Sequence, residues 1–521
     1  MSGTPPEATL LAVDCGTQSL RAMLFTRRGQ LLETARIDYE PYWSPHPGWA
    51  EQAPGTYWEA LCAAVQGLRA RSGPAFARIQ GVGLAALRDT PVLVDEAGEP
   101  LLPAILYLDT RKAAPVYRPG WAASALFAAA GLRARLRAVQ EDCKSNWIRQ
   151  QHPEAWARAH KLLQVSGYLN HQLTGQFRDS LASQVGHLPF QYRRLRWCLP
   201  GELNARLFPV EPHKLPELVA PGQPLGRITR AAGVATGLPE GLPVIACASD
   251  KAAECVGTGC IHAAMASLSL GTTASVQTTS RRYVEPTAGF PPFPAALAGH
   301  YNPEVQVFRG YWMIRWFLRE FGPEERAAAA RQDRPPEQLL DLLLQSCPAG
   351  ALGLVTLPGW GPTLQDPAAR GAMIGLEAGH TRAHVYRSLI EGLAFALRDG
   401  LERIERAGRV PIQQVRVAGG ASRSAEICQI TADILGRELT AGETCEASGL
   451  GVAVLTAVGA GLHGDLAEAV RSMVRPGPSF VPHPERGELY GKLFRQVHRH
   501  LQRRLEPLHR RLRRILAGGE A

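Results

Sequence analysis

Two apolar runs in this chain each break at a Gly-Thr turn. The first, Leu10-Leu11-Ala12-Val13, ends on Asp14-Cys15-Gly16-Thr17-Gln18-Ser19 and resumes at Ala22-Met23-Leu24-Phe25. The second, Met265-Ala266-Ser267-Leu268-Ser269-Leu270, breaks at Gly271-Thr272-Thr273 and resumes at Ala274-Ser275. Short apolar runs flanking a glycine turn predict strand–turn–strand units. Their recurrence roughly half the chain apart is an internal-repeat signal, which predicts two similarly built domains facing one nucleotide.

The intervening pattern fills in the first copy. Gly29 marks a turn and Leu31–Tyr39 a third strand, so an antiparallel meander opens a mixed sheet. Trp58, Leu61, Cys62, Val65 and Leu68 fall at helical spacing. Strands are predicted at Ile79–Leu84, Pro91–Val94 and Ala104–Asp109. Residues 112–178 read as helical, with helices at Lys144–Ile148 and Trp156–Leu169 and a stop at Thr174-Gly175. Pro216–Pro243 is rich in Pro and Gly and reads as a linker to an apolar strand ending on Asp250.

In the second half, Tyr311, Trp312, Trp316 and Phe317 have the spacing of a core helix. Gly359–Gly361 and Pro367–Gly371 read as a loop. A long helix over Arg382–Ala407 carries the stripe Val385, Leu389, Leu393, Leu397, Leu401 and Ile404. Val415–Ala418 then leads into Gly419-Gly420-Ala421-Ser422 and a helix through Ile427, Ile430 and Ile434. A strand–Gly-Gly–helix step lets a flat ring or a phosphate lie close to backbone.

At 521 residues the chain has room for two or more domains. The expected boundaries are 1–247, 248–485 and a basic helical tail over 486–521. No apolar run is long enough to span a bilayer and no signal peptide precedes the first strand, so no membrane partner is expected. The ten cysteines lack metal-ligand spacing, which favours reduced thiols and a cytoplasmic protein. The net charge of +10 is uneven: Arg486–Leu516 holds ten Lys/Arg against two acids, leaving the rest near neutral. An evenly basic nucleic-acid binder is excluded, and the tail reads as a helix with a solvated arginine face, interrupted at Pro507; the alternative is that its Arg503-Arg504 or Arg510-Arg511 patches bind nucleic acid or an anionic membrane surface.

Asp250, at the end of an apolar run, is an acid with a task or a partner. Arg88-Asp89, between two strands, can grip a polyol through guanidinium donors and carboxylate acceptors, or form a surface ion pair.

These residues resemble a known family. Asp14–Arg21 is similar to the first phosphate motif of the FGGY carbohydrate kinases. Asp250 with Gly257 and Gly259 resembles their catalytic-acid segment, and Leu270–Thr273 their second phosphate loop. Arg370-Gly371 through Gly375-Leu376 to Glu391-Gly392 resembles their C-terminal signature, and Ala418–Ser422 their adenosine motif. The resemblance implies an α/β fold of two actin-like, ribonuclease-H-like ATPase domains, with ATP and sugar in an interdomain cleft. It implies Asp250 as general base and Asp14 with Asp250 as Mg²⁺ ligands. Gly16, Thr17, Gln18 and Arg21 would lie along the phosphates, with Gly271 and Thr272 opposite, and Gly419, Gly420 and Ala421 on adenosine.

The acceptor-facing positions depart from familiar members. Leu87-Arg88-Asp89-Thr90 looks like the Arg-Glu-Thr stretch of glycerol kinases with Asp for Glu, and Tyr107 falls where they place Trp. Lys251 stands where glycerol kinases have Gln and xylulose kinases commonly Asn. A Lys251 ammonium beside Asp250 would favour a polar or anionic acceptor. Arg88, Asp89, Tyr107, Asp250 and Lys251 are therefore the expected acceptor contacts. The expected activity is ATP- and Mg²⁺-dependent phosphorylation of a small polyol or ketose, such as glycerol, xylulose or ribulose, by a protein compatible with a homodimer. Alternatives are a kinase for a tetritol, sugar acid or signalling dione, an actin-like ATP-driven binding protein, and a silent sugar sensor. The acids and both Gly-Thr loops count against the sensor.

Overall fold

The computed structural model describes residues 7–40, 42–361 and 369–517. The first six residues, Pro41, the Pro367-Ala368 start of the predicted loop and residues 518–521 lie outside them. The chain forms two compact units: residues 1–261, 293–302 and 447–475, and residues 262–292, 303–446 and 476–521.

Unit 1 is built on β1 (Thr9–Cys15), β2 (Ser19–Thr26), β3 (Leu31–Asp38), β4 (Ile79–Ala86), β5 (Pro224–Arg227) and β6 (Pro243–Ile245). They form one six-stranded sheet in the order β3-β2-β1-β4-β6-β5. β1 pairs antiparallel with β2 and parallel with β4; β6 runs parallel to β4 and antiparallel to β5.

Unit 2 repeats the plan with β7 (Met265–Leu270), β8 (Ala274–Gln277), β9 (Glu304–Val307), β10 (Gln414–Ala418), β11 (Leu439–Gly442) and β12 (Pro476–Phe480). Its order is β9-β8-β7-β10-β11-β12, again with the central pairs parallel and the flanking pairs antiparallel. The repeated Gly-Thr turn thus marks the same hairpin of the same sheet in both units.

Every residue of β1 is buried. Leu11, Val13 and Cys15 pack on one face with Leu61, Val65 and Leu68 of the helix Pro54–Ser72. Leu10 and Ala12 pack on the other with helices Asp250–Gly257 and Ala447–Gly459. Covered on both sides, the strand reads as a continuous apolar run rather than an alternating one. In unit 2, Ala266, Leu268 and Leu270 pack with the helix Arg382–Gly408. The other face of β7 and β8 carries buried Ser267, Ser269, Ser275 and Gln277.

Several local expectations are corrected. Asp250 does not end a strand: β6 stops at Ile245 and Asp250 is the first residue of a helix. The predicted strand Ala104–Asp109 shrinks to Ala104–Ile105, and the strand Lys161–Gln164 interrupts the predicted helix Trp156–Leu169. That segment carries no period-2 pattern; its pairing with Pro91–Val94 is a tertiary event. Pro507 does not break the last helix, which runs from Arg499 to Ala517.

Candidate active site

In unit 1 the chemistry gathers at the carboxyl ends of neighbouring strands, where open α/β sheets receive ligands. Cys15 of β1 is in register with Ala86 of β4, and Ala86 bridges Ser249. Asp14 precedes the first of these positions, Arg88 follows the second and Asp250 the third.

Asp14 is 6% exposed. Its Oδ2 accepts from the Arg21 guanidinium at 2.5 Å, directly across the β1–β2 ladder, and its Oδ1 accepts from the Ser448 hydroxyl at 3.3 Å. The turn after it is closed by the Gly16 N–H donating to the Ser19 carbonyl at 3.0 Å. Tyr39 braces it, its hydroxyl donating to the Gly16 carbonyl at 2.5 Å. The Gly16 N–H is therefore spent on the turn, and half-buried Thr17 and exposed Gln18 form the tip.

Asp250 sits at the N-terminus of its helix, where the helix dipole favours a carboxylate. Its side chain remains 36% exposed. Its Oδ1 accepts from the Lys251 backbone N–H at 2.8 Å and lies 3.3 Å from Arg88 Nε. Two glycines fix this helix. A Cβ on Gly257 would lie 1.8 Å from the Ala447 carbonyl oxygen, and one on Gly451 would lie 1.8 Å from that of Ala253. The two helices cross backbone to backbone, which sets both Asp250 and Ser448.

The Arg88-Asp89 pair divides between two sets of partners. Arg88 turns to Asp250 and stacks over the Phe293 ring at 5.5 Å. Asp89, held at φ +50°, accepts from Lys144 Nζ at 2.5 Å, from the His187 N–H at 3.0 Å and contacts His187 Nδ1 at 3.1 Å. Burial would raise the Asp89 carboxyl, but Lys144 and His187 hold it far below the usual carboxylate range.

Lys251 lies with its ammonium 2.9 Å from Glu254, side chain 13% exposed. Burial alone would lower its pKa; the Glu254 and Asp250 carboxylates outweigh this and hold it raised. Burial pushes the Tyr107 phenol up, opposed by the Thr17 side chain, and the charges of Asp250, Arg88 and Lys251 act on it as well. The five expected acceptor contacts thus split: four share the surroundings of Asp250, while Asp89 is committed to Lys144 and His187. Lys144, His187 and Ser448 escaped the sequence reading. Only Ser448 left a trace, inside the small-residue run Ala447-Ser448-Gly449-Leu450-Gly451.

In unit 2, β7 and β10 end side by side, Ser269 opposite Ala418. Gly419 has φ +96°, and a Cβ there would lie 2.8 Å from the Leu270 carbonyl carbon and 3.0 Å from the Gly271 nitrogen. Gly271-Thr272 and Gly419-Gly420-Ala421 are therefore brought together, with Thr272 and Gly420 exposed and Ala421 buried. The helix Ala425–Leu435 starts immediately beyond, capped by the Ser424 hydroxyl, which accepts from the Ile427 N–H at 3.1 Å.

Among the described residues no group of three or more His, Cys, Asp or Glu gathers to hold a metal ion. A nucleotide-borne Mg²⁺ needs only one or two carboxylates, because phosphates and water complete its shell. Asp14 and Asp250 fit that smaller demand.

Models of the FGGY carbohydrate kinase N-terminal and C-terminal domains match residues 9–257 and 266–460. The chain belongs to this family. It is an ATP-dependent carbohydrate kinase with the family's two-domain, actin-like fold. It is 26% identical to YgcE, an uncharacterized sugar kinase of Escherichia coli (strain K12), over 98% of this chain and 96% of that protein. A glycerol kinase of Alkalilimnicola ehrlichii is 30% identical, over 87% of this chain and 91% of its own length. The crystal structure of a xylulose kinase from Rhodospirillum rubrum superposes with a TM-score of 0.77 at 27% identity, covering 96% of this chain and all of that one.

Proposed function

We propose that Asp250 is the general base of this FGGY kinase and that its acceptor is a small polyol or ketose. The observation that carries this is a carboxylate at a helix N-terminus, part-exposed, with Arg88 against one oxygen and Tyr107 nearby. Arg88 and Tyr107 orient the acceptor so that one hydroxyl donates to Asp250. Asp250 takes that proton as the oxygen attacks the terminal phosphorus of ATP, whose bond to the bridging oxygen breaks so that ADP leaves. Thr17, Gln18 and Arg21 bind phosphate oxygens from unit 1. Gly271, Thr272, Gly419, Gly420 and Ala421 offer the nucleotide glycine-rich backbone and a hydroxyl in unit 2. Asp14 and Asp250 would hold Mg²⁺, which supplies charge neutralisation on the phosphates. Glycerol and the pentuloses are the leading acceptors, in keeping with the relatives' names. Ten free cysteines are in keeping with a reducing, cytoplasmic setting.

A second reading is favoured by one observation. Asp89 is withdrawn onto Lys144 and His187, while the Arg88 guanidinium lies beside Asp250 and the Lys251 ammonium, also close to Asp250, is paired with Glu254. This balance suits an acceptor carrying a carboxylate, a sugar acid, better than a neutral polyol.

ADP release with Mg-ATP across polyols, ketoses and sugar acids tests both readings. One acceptor should stimulate turnover, and Asp250→Ala should lower kcat by about 10²–10⁴-fold, the usual worth of a general base. Undiminished turnover in that variant would remove Asp250 from the mechanism. Stimulation by sugar acids alone would select the second reading.

A further inference from the structure

The helix Arg499–Ala517 is continuous and contains Pro507. Before the proline, Leu501 is buried on the hairpin Val355–Leu357/Ala372–Ile374, with Leu505 packed beside it. Beyond it, Leu508, Leu512, Ile515 and Leu516 are 50%, 47%, 71% and 61% exposed. Their spacing of three and four residues continues the face that Leu501 and Leu505 begin. One apolar stripe therefore runs the length of the helix; its first half is covered, while beyond Pro507 His509 is buried but the apolar side chains of the stripe stand about half or more exposed. A proline inside a helix removes a hydrogen bond to the preceding turn, which allows the outer half to bend away from the body.

The other side of the helix is cationic. Arg499–Ala517 contains seven arginines and a single acid, Glu506, which pairs with Arg510. No helix among the described residues is long and apolar enough to cross a membrane. An apolar stripe opposite an arginine face is instead the composition of a helix that lies in a membrane interface.

We propose that the outer half of this helix docks on an anionic lipid bilayer. Leu508, Leu512, Ile515 and Leu516 enter the boundary between headgroups and acyl chains, while Arg510, Arg511, Arg513 and Arg514 lie along the lipid phosphates. Charge complementarity selects this occupant. A second copy packed through the same stripe would cover the leucines but leave the arginines without a counter-charge, and nucleic acid would satisfy the arginines but leave the leucines in water. The proposal takes up the membrane alternative to a solvated tail, on the ground of the uncovered apolar side chains beyond Pro507.

The test is co-sedimentation of the full-length protein with vesicles of phosphatidylcholine, alone or with phosphatidylglycerol. Binding is expected only to the anionic vesicles and should weaken with salt. Arg510→Gln and Arg511→Gln should each weaken it about fivefold, the worth of one cation near an anionic surface. Leu512→Glu/Ile515→Glu should abolish it with turnover and melting temperature unchanged, because both side chains are exposed. Absence of vesicle binding would overturn the proposal. So would a lipid-free dimer that Leu512→Glu/Ile515→Glu dissociates, or DNA binding that survives that variant.

Discussion

The hairpins β1–β2 and β7–β8 occupy the same place in two sheets of the same order, yet they are charged differently. Asp14 faces Arg21 across the first ladder; at the matching place in the second, Ser269 faces Ser275. Each turn carries Gly-Thr, so the backbone requirement was kept in both copies. Charge was kept in one. The unit 1 turn can neutralise a cation with its acid and a phosphate with its arginine, while the unit 2 turn offers only neutral donors. A repeat in sequence is thus evidence for shared architecture, and a mismatch inside it shows where the copies divide the work.

Removing the charge should have the largest effect. Asp14→Asn is expected to lower kcat by about 10²–10³-fold, the scale for losing one preorganised electrostatic group. Thr272→Ala should cost less than about tenfold. Equal losses in steady-state assays would mean that the two turns share the electrostatic role after all.

The reverse exchange should cost stability. Ser269 is 1% exposed and lies opposite Ser275 in the β7–β8 ladder. Ser269→Asp would bury a carboxylate without a guanidinium opposite it, at a cost of about 3 kcal/mol in chemical denaturation. A variant as stable as the parent would show that this position tolerates charge and that the comparison overstates the difference.

A smaller effect is expected from Gly419→Ala. Its φ of +96° and the 2.8 Å approach to Leu270 leave no room for a side chain. Strain of about 1–3 kcal/mol should follow, with a raised KM for ATP and little change in acceptor KM. Acceptor KM rising in step with that for ATP would break the assignment of this turn to the nucleotide.

The smallest effect sharpens the contrast within unit 1. Unlike Asp14, the buried Asp179 is held by neutral donors: Ser166, Asn170, Gln184 and the Ser180 N–H. Burial pushes it up to about 6, against an ordinary value of 3.8. The folded state therefore binds this proton more tightly than the unfolded chain, so the contribution grows as pH falls through 6 and is lost as pH rises. Stability should increase by about 1 kcal/mol between pH 7 and pH 5 from this group. Asp179→Asn should flatten that part of the profile; an unchanged slope would assign the proton elsewhere.

The legible parts of the site were those written in local backbone chemistry. Gly16-Thr17 and Gly271-Thr272 announce turns because few residues fit such turns, and Gly419-Gly420 announces a close approach for the same reason. The acceptor side was less legible. Arg88 and Asp89 are chain neighbours, and the sequence reads them together, as a joint grip on a polyol or as a mutual ion pair. The fold sends Asp89 to partners 55 and 98 positions away and Arg88 to Asp250. Lys251 is adjacent to Asp250, yet its ammonium is claimed by Glu254, three residues along the same helix.

By itself, the sequence determined two copies of one sheet, the turns that end their first strands, the family and the kind of reaction. Those properties depend on apolar periodicity and on glycine positions, which act over a few residues. Only the tertiary structure decided which carboxylate each cation meets, that Ser448 reaches Asp14, and that the apolar side chains beyond Pro507 are left exposed. Side-chain pairing and burial depend on segments far apart in the chain, and strand or helix periodicity carries no record of which distant group arrives opposite.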